Sequence, residues 1–566
     1  MVVSGSVHPL LETVNLMLDR AVIDALFPAD LPEPAHWEQR YPVRQLPQHA
    51  EVTRFGPSPT GFVHIGGLYV AMIDRDVAHR SGGSYVLRVE DTDQAREVAG
   101  AAAQFDNAFN YFGLPADEHD ESGDYGPYHQ SRREQIYLTY ARELLREGKA
   151  YLCFATPEEL ADIRARQDAT KMPPGYYAGW ALWRDRDPAE VRAKLDEGAP
   201  YVVRFRSPGV EARARFRDEI RGELEHEDNR NDVVILKSSA NEVRLPTYHF
   251  AHAVDDHLMR TTLVIRGEEW ISSVPLHLQL FAALGFPAPR YAHIAPLMKQ
   301  IPGGKRKLSK RKDSEASVDF YIEQGFPAEA VLYYLRGLAN GRLAEVPLAE
   351  ALDSPIRLTE CGVAGPLVDL VKLEDISADH IATLSGQQIL DAVRTWAADH
   401  DPELVPVLDA RRDLALAALA VERGADVPNP RKDLRKWSGF REAYGFFFPE
   451  LFTPQDVTGE QFTQLGVAPD LVRAFAADFA EAYQPLEDSG EWFNQIRELA
   501  TKHGFAAKPK DLKQNPEAYP AGGSIREASQ IIRLALTGAT RSPDLHAVAT
   551  ALGTDEVLRR VRAVAG

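Results

Sequence analysis

Residues 51–93 read EVTRFGPSPTGFVHIGGLYVAMIDRDVAHRSGGSYVLRVEDTD. EVTRFGPSPTG predicts a short strand running into a Gly/Pro/Ser turn. Ile65, Leu68, Ala71, Met72 and Val77 then recur at helical spacing, and SYVLRVEDTD alternates as a strand that ends in carboxylates. Strand, glycine loop, helix, strand is the opening of a doubly wound α/β sheet, and such sheets bind ligands beyond their C-terminal strand ends. A second half resumes near Thr247, with the buried-strand run TTLVIRG and the helix SSVPLHLQLFAALG closed by Gly285 as C-cap.

Between the halves, from about Leu114 to Ala240, the pattern is mixed. An acidic run, DEHDESGD, predicts a solvated loop; RREQIYLTYARELLREGK predicts a helix; YVVRFRS and ARARFRDEIRG alternate as arginine-bearing strands. After FPAEAVLYYLRGLANG the chain reads almost wholly as helices, for example IREASQIIRLALTG and LHAVATALG. Ahead of Glu51, Leu10, Leu11, Val14, Met17, Leu18, Ala21, Val22 and Ala25 have amphipathic helical spacing, either a docking appendage or a partner-binding helix. The Pro-rich LPEPAHWEQRYPVRQLP follows as a linker over a surface.

The chain has 566 residues, which at roughly 150 per domain predicts about four domains. Its formal charge of −19 argues against whole-surface attraction to nucleic acid or anionic membrane, but not against a local basic groove. Two cysteines, Cys153 and Cys361, exclude a disulfide scaffold or CxxC zinc module. With no basic n-region ahead of the first apolar stretch and no apolar run near the ~18 residues of a membrane span, the reading is cytoplasmic, without a membrane partner.

Three segments carry the chemistry. In Pro57–Gly67 a strand turns through glycines into a helix start, whose unpaired N–H groups suit a phosphate and whose His64 can donate to it; the bland alternative is a structural cap. In Lys299–Lys312, KQIPGGKRKLSKRK, seven of fourteen residues are basic and none acidic. That is either a solvated or generic nucleic-acid-binding loop, or a mobile loop, hinged at its glycines, that closes Lys307 and Lys310 over a triphosphate. PTYHFAHAVDDHLM (246–259) with VIRGEEW (264–270) is too densely polar for an ordinary core, and it lacks the HExxH spacing of a zinc site.

Together these segments resemble the bacterial glutamyl-tRNA synthetases, of class I. The matching stretches are RFGPSPTGFVHIGG, SGGSYVLRVEDTD, GPYHQSxR (126–133), PTYHFA…VDDHLM, VIRGEEW and KLSKRKD, in order and at compatible spacing, from about Val52 to Ser377. His64–Gly67 stands for the family's HIGH-type motif and Lys307–Arg311 for its KMSKS-type motif.

The resemblance implies a Rossmann-like α/β catalytic domain, 51–114 and 241–325, split by an α+β acceptor-stem-binding insertion, 115–240. A helical extension and linker, 1–50, precedes it. A helical stem-contact domain, 326–395, and all-α anticodon-binding domains, 396–566, follow. It implies ATP with Mg²⁺, L-glutamate and tRNA-Glu as partners, with tRNA-Gln left open, in a monomer without zinc.

By the same carry-over the catalytic residues are His64, Gly66, Gly67, Lys307 and Lys310. Ser58, Glu269, Leu297, Ser309 and Lys310 meet ATP, and Arg54, Gly56, Ser58, Glu90, Tyr248, His252 and Arg266 meet glutamate. Arg204, Arg206, Arg213, Arg215, Arg217 and the helical tail, with ten Lys/Arg against six Asp/Glu over 501–566, are expected to contact tRNA.

Gly56 stands where the family usually has Ala, which is expected only to enlarge the pocket slightly, and His252 where it often has Asn or an apolar residue. Two guanidiniums facing one carboxylate reject an amide, since an unpaired buried charge costs on the order of 3–5 kcal/mol. Against a glutaminyl enzyme stand the helical C-terminus and Arg266; against a silent RNA-binding paralogue stand His64, Glu90, Arg266, Lys307 and Lys310.

Overall fold

A computed structural model describes residues 18–59, 61–93, 101–120, 122–209, 213–424 and 427–566. The chain packs as two units: Met1–Asp319 with Leu335–Val368, and Phe320–Tyr334 with Asp369–Gly566. Among the described residues no helix is long and apolar enough to cross a membrane.

The first unit carries strands β1 (Val52–Phe55), β2 (Ser84–Leu87), β3 (Ala150–Cys153), β4 (Val202–Phe205), β5 (Arg213–Asp218), β6 (Gly222–Glu227), β7 (Val234–Leu236), β8 (Leu263–Gly267), β9 (Arg290–Ile294), β10 (Met298–Ile301) and β11 (Gly304–Lys307). β1 and β2 run parallel from the pair Val52/Ser84, joined by the helix Ile65–Ser81. That helix ends on Gly82 at φ 75°, and a Cβ on the next residue, Gly83, would strike the Glu51 carbonyl, so the return to β2 needs both glycines. β8 and β9 also run parallel, joined by the helix Val274–Leu284, which Gly285 closes in the left-handed conformation. The halves meet where the Thr262 N–H donates to the Val52 carbonyl at 2.9 Å. This is the doubly wound arrangement expected from residues 51–93.

A hairpin from within the expected insertion extends the β8–β9 pair. β5 pairs antiparallel with β6 and, at Asp218/Tyr291, parallel with β9, giving the order β6-β5-β9-β8. The rest of the insertion builds its own sheet, β3-β4-β7.

Three expectations are corrected. The Pro-rich stretch is not a surface linker: Pro34–Arg40 is helical, and Ile23, Phe27, Leu31, Trp37 and Tyr41 are buried in one core with Ile136, Tyr137 and Leu144. The spacing could not reveal this, because Trp37 and Tyr41 are isolated apolar residues among prolines. Of the predicted N-terminal helix, residues 10–17 lie outside the described residues; within them it is the short helix Arg20–Asp24.

The acidic run is not simply solvated. Glu118 is buried, ion-paired with Arg44 and accepting from Tyr128 Oη at 2.7 Å, while Asp117 accepts the Tyr85 N–H at 2.8 Å. Of the basic segment expected as a loop, residues 299–307 form the antiparallel hairpin β10–β11, with Gly303 at φ 86° in its turn, while residues 308–312 carry no strand or helix, as expected.

The second unit is helical around one core that includes Trp492, Ile496, Phe475, Ile531 and Ile532. Its helix Ile525–Thr537, expected from IREASQIIRLALTG, opens with a reciprocal Ser524/Glu527 capping box and stops at Gly538, φ 68°.

Candidate active site

Beyond the C-terminal ends of β1 and β8 lies a cavity of about 740 Å³ lined by Arg54, Gly56, Ser58, Glu90, Tyr248 and Arg266, six of the seven residues expected to meet glutamate. A second cavity, about 310 Å³, is lined by His64, Gly66, Gly67, Glu269, Leu297 and Lys307, and it shares Val70 and Gly267 with the first. The two expected clusters are therefore neighbours around one sheet end.

Arg54 on β1 and Arg88, just past β2, reach a common carboxylate on the helix Tyr248–Leu258. Arg54 Nε lies 3.2 Å and Arg88 Nη1 2.7 Å from Asp256 Oδ1. Arg88 Nη2 also donates to Glu90 Oε1 at 3.0 Å. Burial raises a carboxylate, but Arg88 and Arg54 outweigh it at Asp256 and hold that group well below the usual range. At Glu90 burial prevails over the same two arginines and the carboxyl is raised. An ammonium group arriving beside Glu90 would draw it back to the ionised form.

Arg266, at the end of β8, is held differently. Its Nε–H donates to His293 Nε2 at 3.1 Å, its Nη2 to His277 Nδ1 at 3.2 Å and the Trp270 carbonyl at 3.4 Å, and its Nη1 to Tyr248 Oη at 3.3 Å. Every one of these acceptors is neutral. In and directly behind the cavity, Arg54, Arg88, Lys237 and Arg266 face Glu90, Asp93 and Asp256, a net charge of +1 when all are ionised.

In the second cavity the loop before the helix Ile65–Ser81 turns at His64, the helix N-cap, whose Nδ1 accepts the Gly66 N–H at 2.8 Å. The acceptor role at Nδ1 leaves the ring proton on Nε2. Burial, with Lys310 and Lys307 nearby, lowers the His64 pKa to about 4, so the imidazole is a neutral donor at pH 7. Lys307 Nζ is 2.9 Å from Glu269 Oε1. Lys310 Nζ donates to the Phe62 carbonyl at 2.8 Å, in the turn just before His64, and lies 5.2 Å from the Phe62 ring centre. Ser309 donates its N–H to Asp313 Oδ2 at 2.9 Å, and Arg306 pairs with the same carboxylate at 2.6 Å. Ser309 and Lys310 line neither cavity; they sit on the segment just past β11.

Three expectations change at this level. His252 does not line the cavity: it is fully buried behind Tyr248, with Nδ1 2.5 Å from Asp256 Oδ2 and Nε2 3.0 Å from Tyr291 Oη. Gly56 does more than widen the pocket, since a Cβ there would run into the Glu90 carboxylate. Arg204 is buried, stacked 4.0 Å over the Tyr176 ring and donating to the Asp232 carbonyl, whereas Arg213, Arg215 and Arg217 are exposed on the β5–β6 hairpin beside Glu225 and Glu223.

Sequence reasoning missed Trp270, Lys237, Gln130 and Thr92 in the lining, and His277, His293 and Asp218 behind it. Trp270 had a signal, lying in the quoted VIRGEEW. His277 is one polar residue inside the apolar run VPLHLQLF, and nothing in its spacing marks it.

Comparison with known proteins agrees with this geometry. The family model described as "tRNA synthetases class I (E and Q), catalytic domain" matches residues 51–348, and an "Anticodon binding domain" model matches 521–565. A glutamate–tRNA ligase of Clostridium beijerinckii is 40% identical over 538 residues, covering 93% of this chain and 95% of its own. That of Clostridium perfringens strain 13 is 40% identical over 549 residues, with 95% and 98% covered. The crystal structure of a glutamate tRNA ligase from Elizabethkingia meningosepticum, in complex with its amino acid, superposes with a TM-score of 0.74 at 28% identity, over 91% of this chain and 99% of that one.

Proposed function

The chain belongs to the class I tRNA synthetases of the glutamate and glutamine subgroup, and from that premise we propose that it works as a glutamate–tRNA ligase. The observation that carries the choice of glutamate is Arg266: a buried guanidinium with only neutral partners, in a cavity of net charge +1. L-Glutamate, with two carboxylates and one ammonium, carries −1 and neutralises it. Glutamine would leave the excess charge buried, at a cost on the order of 3–5 kcal/mol.

In this reading Arg266 and Tyr248 receive the side-chain carboxylate, with Arg54 alongside, and Glu90 holds the α-ammonium. Class I chemistry uses ATP as substrate, entering with Mg²⁺. The α-carboxylate attacks the α-phosphorus, forming a C–O–P bond as the bond to pyrophosphate breaks. That carboxylate is ionised at pH 7, so no base is required; the protein supplies alignment and stabilises phosphate charge. His64 Nε2–H and the helix start at Gly66 and Gly67 serve the α-phosphate. Lys307 must leave Glu269, and Lys310 the Phe62 carbonyl, to serve the departing pyrophosphate. In the second step the ribose hydroxyl of the terminal adenosine attacks the acyl carbon and AMP leaves, with an adenylate phosphate oxygen accepting the hydroxyl proton.

We assign residues 51–114 and 241–325 to catalysis, 115–240 to the acceptor stem, 326–395 to stem contact and 396–566 to anticodon binding. Within these regions, exposed Arg213, Arg215 and Arg217 and the basic C-terminal tail are the tRNA-facing cations, contributing affinity through phosphates. We place the protein in the cytoplasm as a monomer, charging tRNA-Glu. Glutamate-dependent ATP–pyrophosphate exchange, run with and without tRNA, tests the reading; no exchange even with tRNA present would overturn it. Charging assays with separated tRNA-Glu and tRNA-Gln decide whether the second is also a substrate.

A further inference from the structure

Four histidines, His249, His252, His277 and His293, crowd around Arg266, and three of them, His293, His277 and His249, take part in two hydrogen-bonded relays. His293 Nδ1 lies 2.7 Å from Asp218 Oδ2, which also accepts the His293 backbone N–H at 3.1 Å. The other oxygen, Asp218 Oδ1, accepts the N–H groups of Ile220 at 3.0 Å and Arg221 at 2.9 Å. Asp218 is therefore a fixed acceptor, and it obliges His293 to carry its proton on Nδ1 and present a lone pair at Nε2 to Arg266. On the other side His277 Nε2 is 2.9 Å from His249 Nδ1, and His277 Nδ1 faces Arg266. The same logic makes His277 an acceptor toward the guanidinium and a donor toward His249. Among the described residues no group of three or more His, Cys, Asp or Glu is arranged to hold a metal ion. Burial and the Arg266 charge lower His249, to about 4, and burial lowers His293 and His277, so the shell is uncharged at pH 7.

The contrast with Arg54 gives this shell a meaning. Arg54 is equally buried, but its charge is shared with Asp256. Around Arg266, histidines stand where carboxylates would be the ordinary partners of a buried cation. They satisfy the N–H groups without cancelling the charge. Of the five guanidinium N–H groups, those on Nε and Nη2 are directed to His293, His277 and Trp270, leaving Nη1 beside the Tyr248 phenol.

We propose that the Asp218–His293 and His249–His277 relays are positioning residues for substrate selection: they aim Arg266 by neutral acceptors and so reserve its full charge for the side-chain carboxylate of the amino acid. This rests on the reading of the cavity as a glutamate site. It assigns a role in amino-acid choice to Asp218, a residue on the insertion hairpin that does not line the cavity.

The decisive variant is Asp218→Asn in the full-length enzyme. The Ile220 and Arg221 amides hold the Asn carbonyl oxygen, which turns its NH₂ toward His293 Nδ1. The imidazole then moves its proton to Nε2, where it opposes the Arg266 Nε–H. In tRNA-supplemented pyrophosphate exchange the KM for glutamate is expected to rise about 10- to 100-fold, with the KM for ATP within about twofold; the melting temperature falls as well, because the Asn NH₂ replaces the oxygen that accepts the His293 backbone N–H. Adding His293→Gln, whose Oε1 occupies the Nε2 position and accepts regardless of residue 218, is expected to recover most of the loss.

If Asp218→Asn folds poorly, the pair His277→Asn and His277→Leu replaces it. Asn keeps an acceptor at the Nδ1 position and leaves the glutamate KM within about threefold, whereas Leu raises it at least tenfold. An active wild type whose glutamate KM is unmoved by Asp218→Asn, or moved together with the ATP KM, overturns the positioning role alone. Absence of glutamate-dependent exchange in the wild type overturns the glutamate reading and this inference with it.

Discussion

Arg266→Gln is the sharpest probe of the site, because it removes one charge and keeps a polar side chain of similar reach. Arg266 is 6% exposed, so its interaction with a bound carboxylate is little weakened by water. In the variant the ligand carboxylate loses a charge-assisted contact, about 1.5–3 kcal/mol. It must also rely on Arg54, already committed to Asp256 at 3.2 Å. Leaving one partner of a buried ion pair without the other costs about 3–5 kcal/mol. The two estimates for this one interaction meet at about 3 kcal/mol, and at 1.4 kcal/mol per decade that is a loss of about 10²-fold in kcat/KM for glutamate. The KM for ATP should stay within about twofold, since Arg266 lines only the larger cavity. The ratio of glutamate to glutamine activation should shrink, because the variant no longer penalises an uncharged amide. Pyrophosphate exchange with each amino acid, at saturating ATP and tRNA, measures all three quantities. A glutamate kcat/KM within about threefold of wild type, or an equal loss for glutamine, would refute the reasoning.

Four further outcomes are expected. Lys310→Ala should lower adenylate formation by at least tenfold with tRNA affinity in a binding assay nearly kept, and equal loss of both would contradict its phosphate role. Gly56→Ala should raise the glutamate KM severalfold, because the added methyl displaces the Glu90 carboxylate from Arg88; steady-state kinetics against glutamate read it. Arg44→Ala should destabilise the fold by about 3 kcal/mol, since it leaves the buried Glu118 carboxylate with only the neutral Tyr128 and Ser84 hydroxyls, and urea unfolding measures it. Stability should also fall on acidification from about pH 6.5 toward 4. Burial lowers His64 and His249 to about 4 and His252 to about 3, so over that window the unfolded chain binds protons that the native chain refuses. Melting temperature followed against pH should drop more steeply for wild type than for His249→Asn.

The catalytic half was legible because its signals are local. RFGPSPTGFVHIGG and VIRGEEW put cavity-lining residues within a few positions of a strand end, so strand assignment alone places Arg54, Gly56, His64 and Arg266 on one side of the sheet. What the sequence hid depends on distant partners. Glu118 looks like any acidic loop residue until Arg44, 74 positions away, is brought against it. His252 looks like a ligand until packing puts Tyr248 in front of it. Asp218 reads as the end of an arginine-rich strand, and its part in the site comes from one parallel bridge to Tyr291, which brings it beside His293. The basic hairpin was misjudged for a different reason: lysines and glycines depress strand propensity, and the pairing of β10 with β11 depends on the turn at Gly303.

The stretch ahead of Glu51 changes how the lower edge of the catalytic region should be drawn. The family match begins at residue 51, yet Glu38 receives His257 at 2.7 Å and Arg260 at 2.8 Å, and the Trp37 indole donates to Thr139 at 3.0 Å. His257 closes the same helix that carries Tyr248 and Asp256. Shared ancestry of sequence and self-sufficiency of folding are therefore different boundaries in this chain. A fragment cut where the recognisable motifs start would keep every residue that lines the two cavities and lose the brace at the far end of the helix that carries Tyr248.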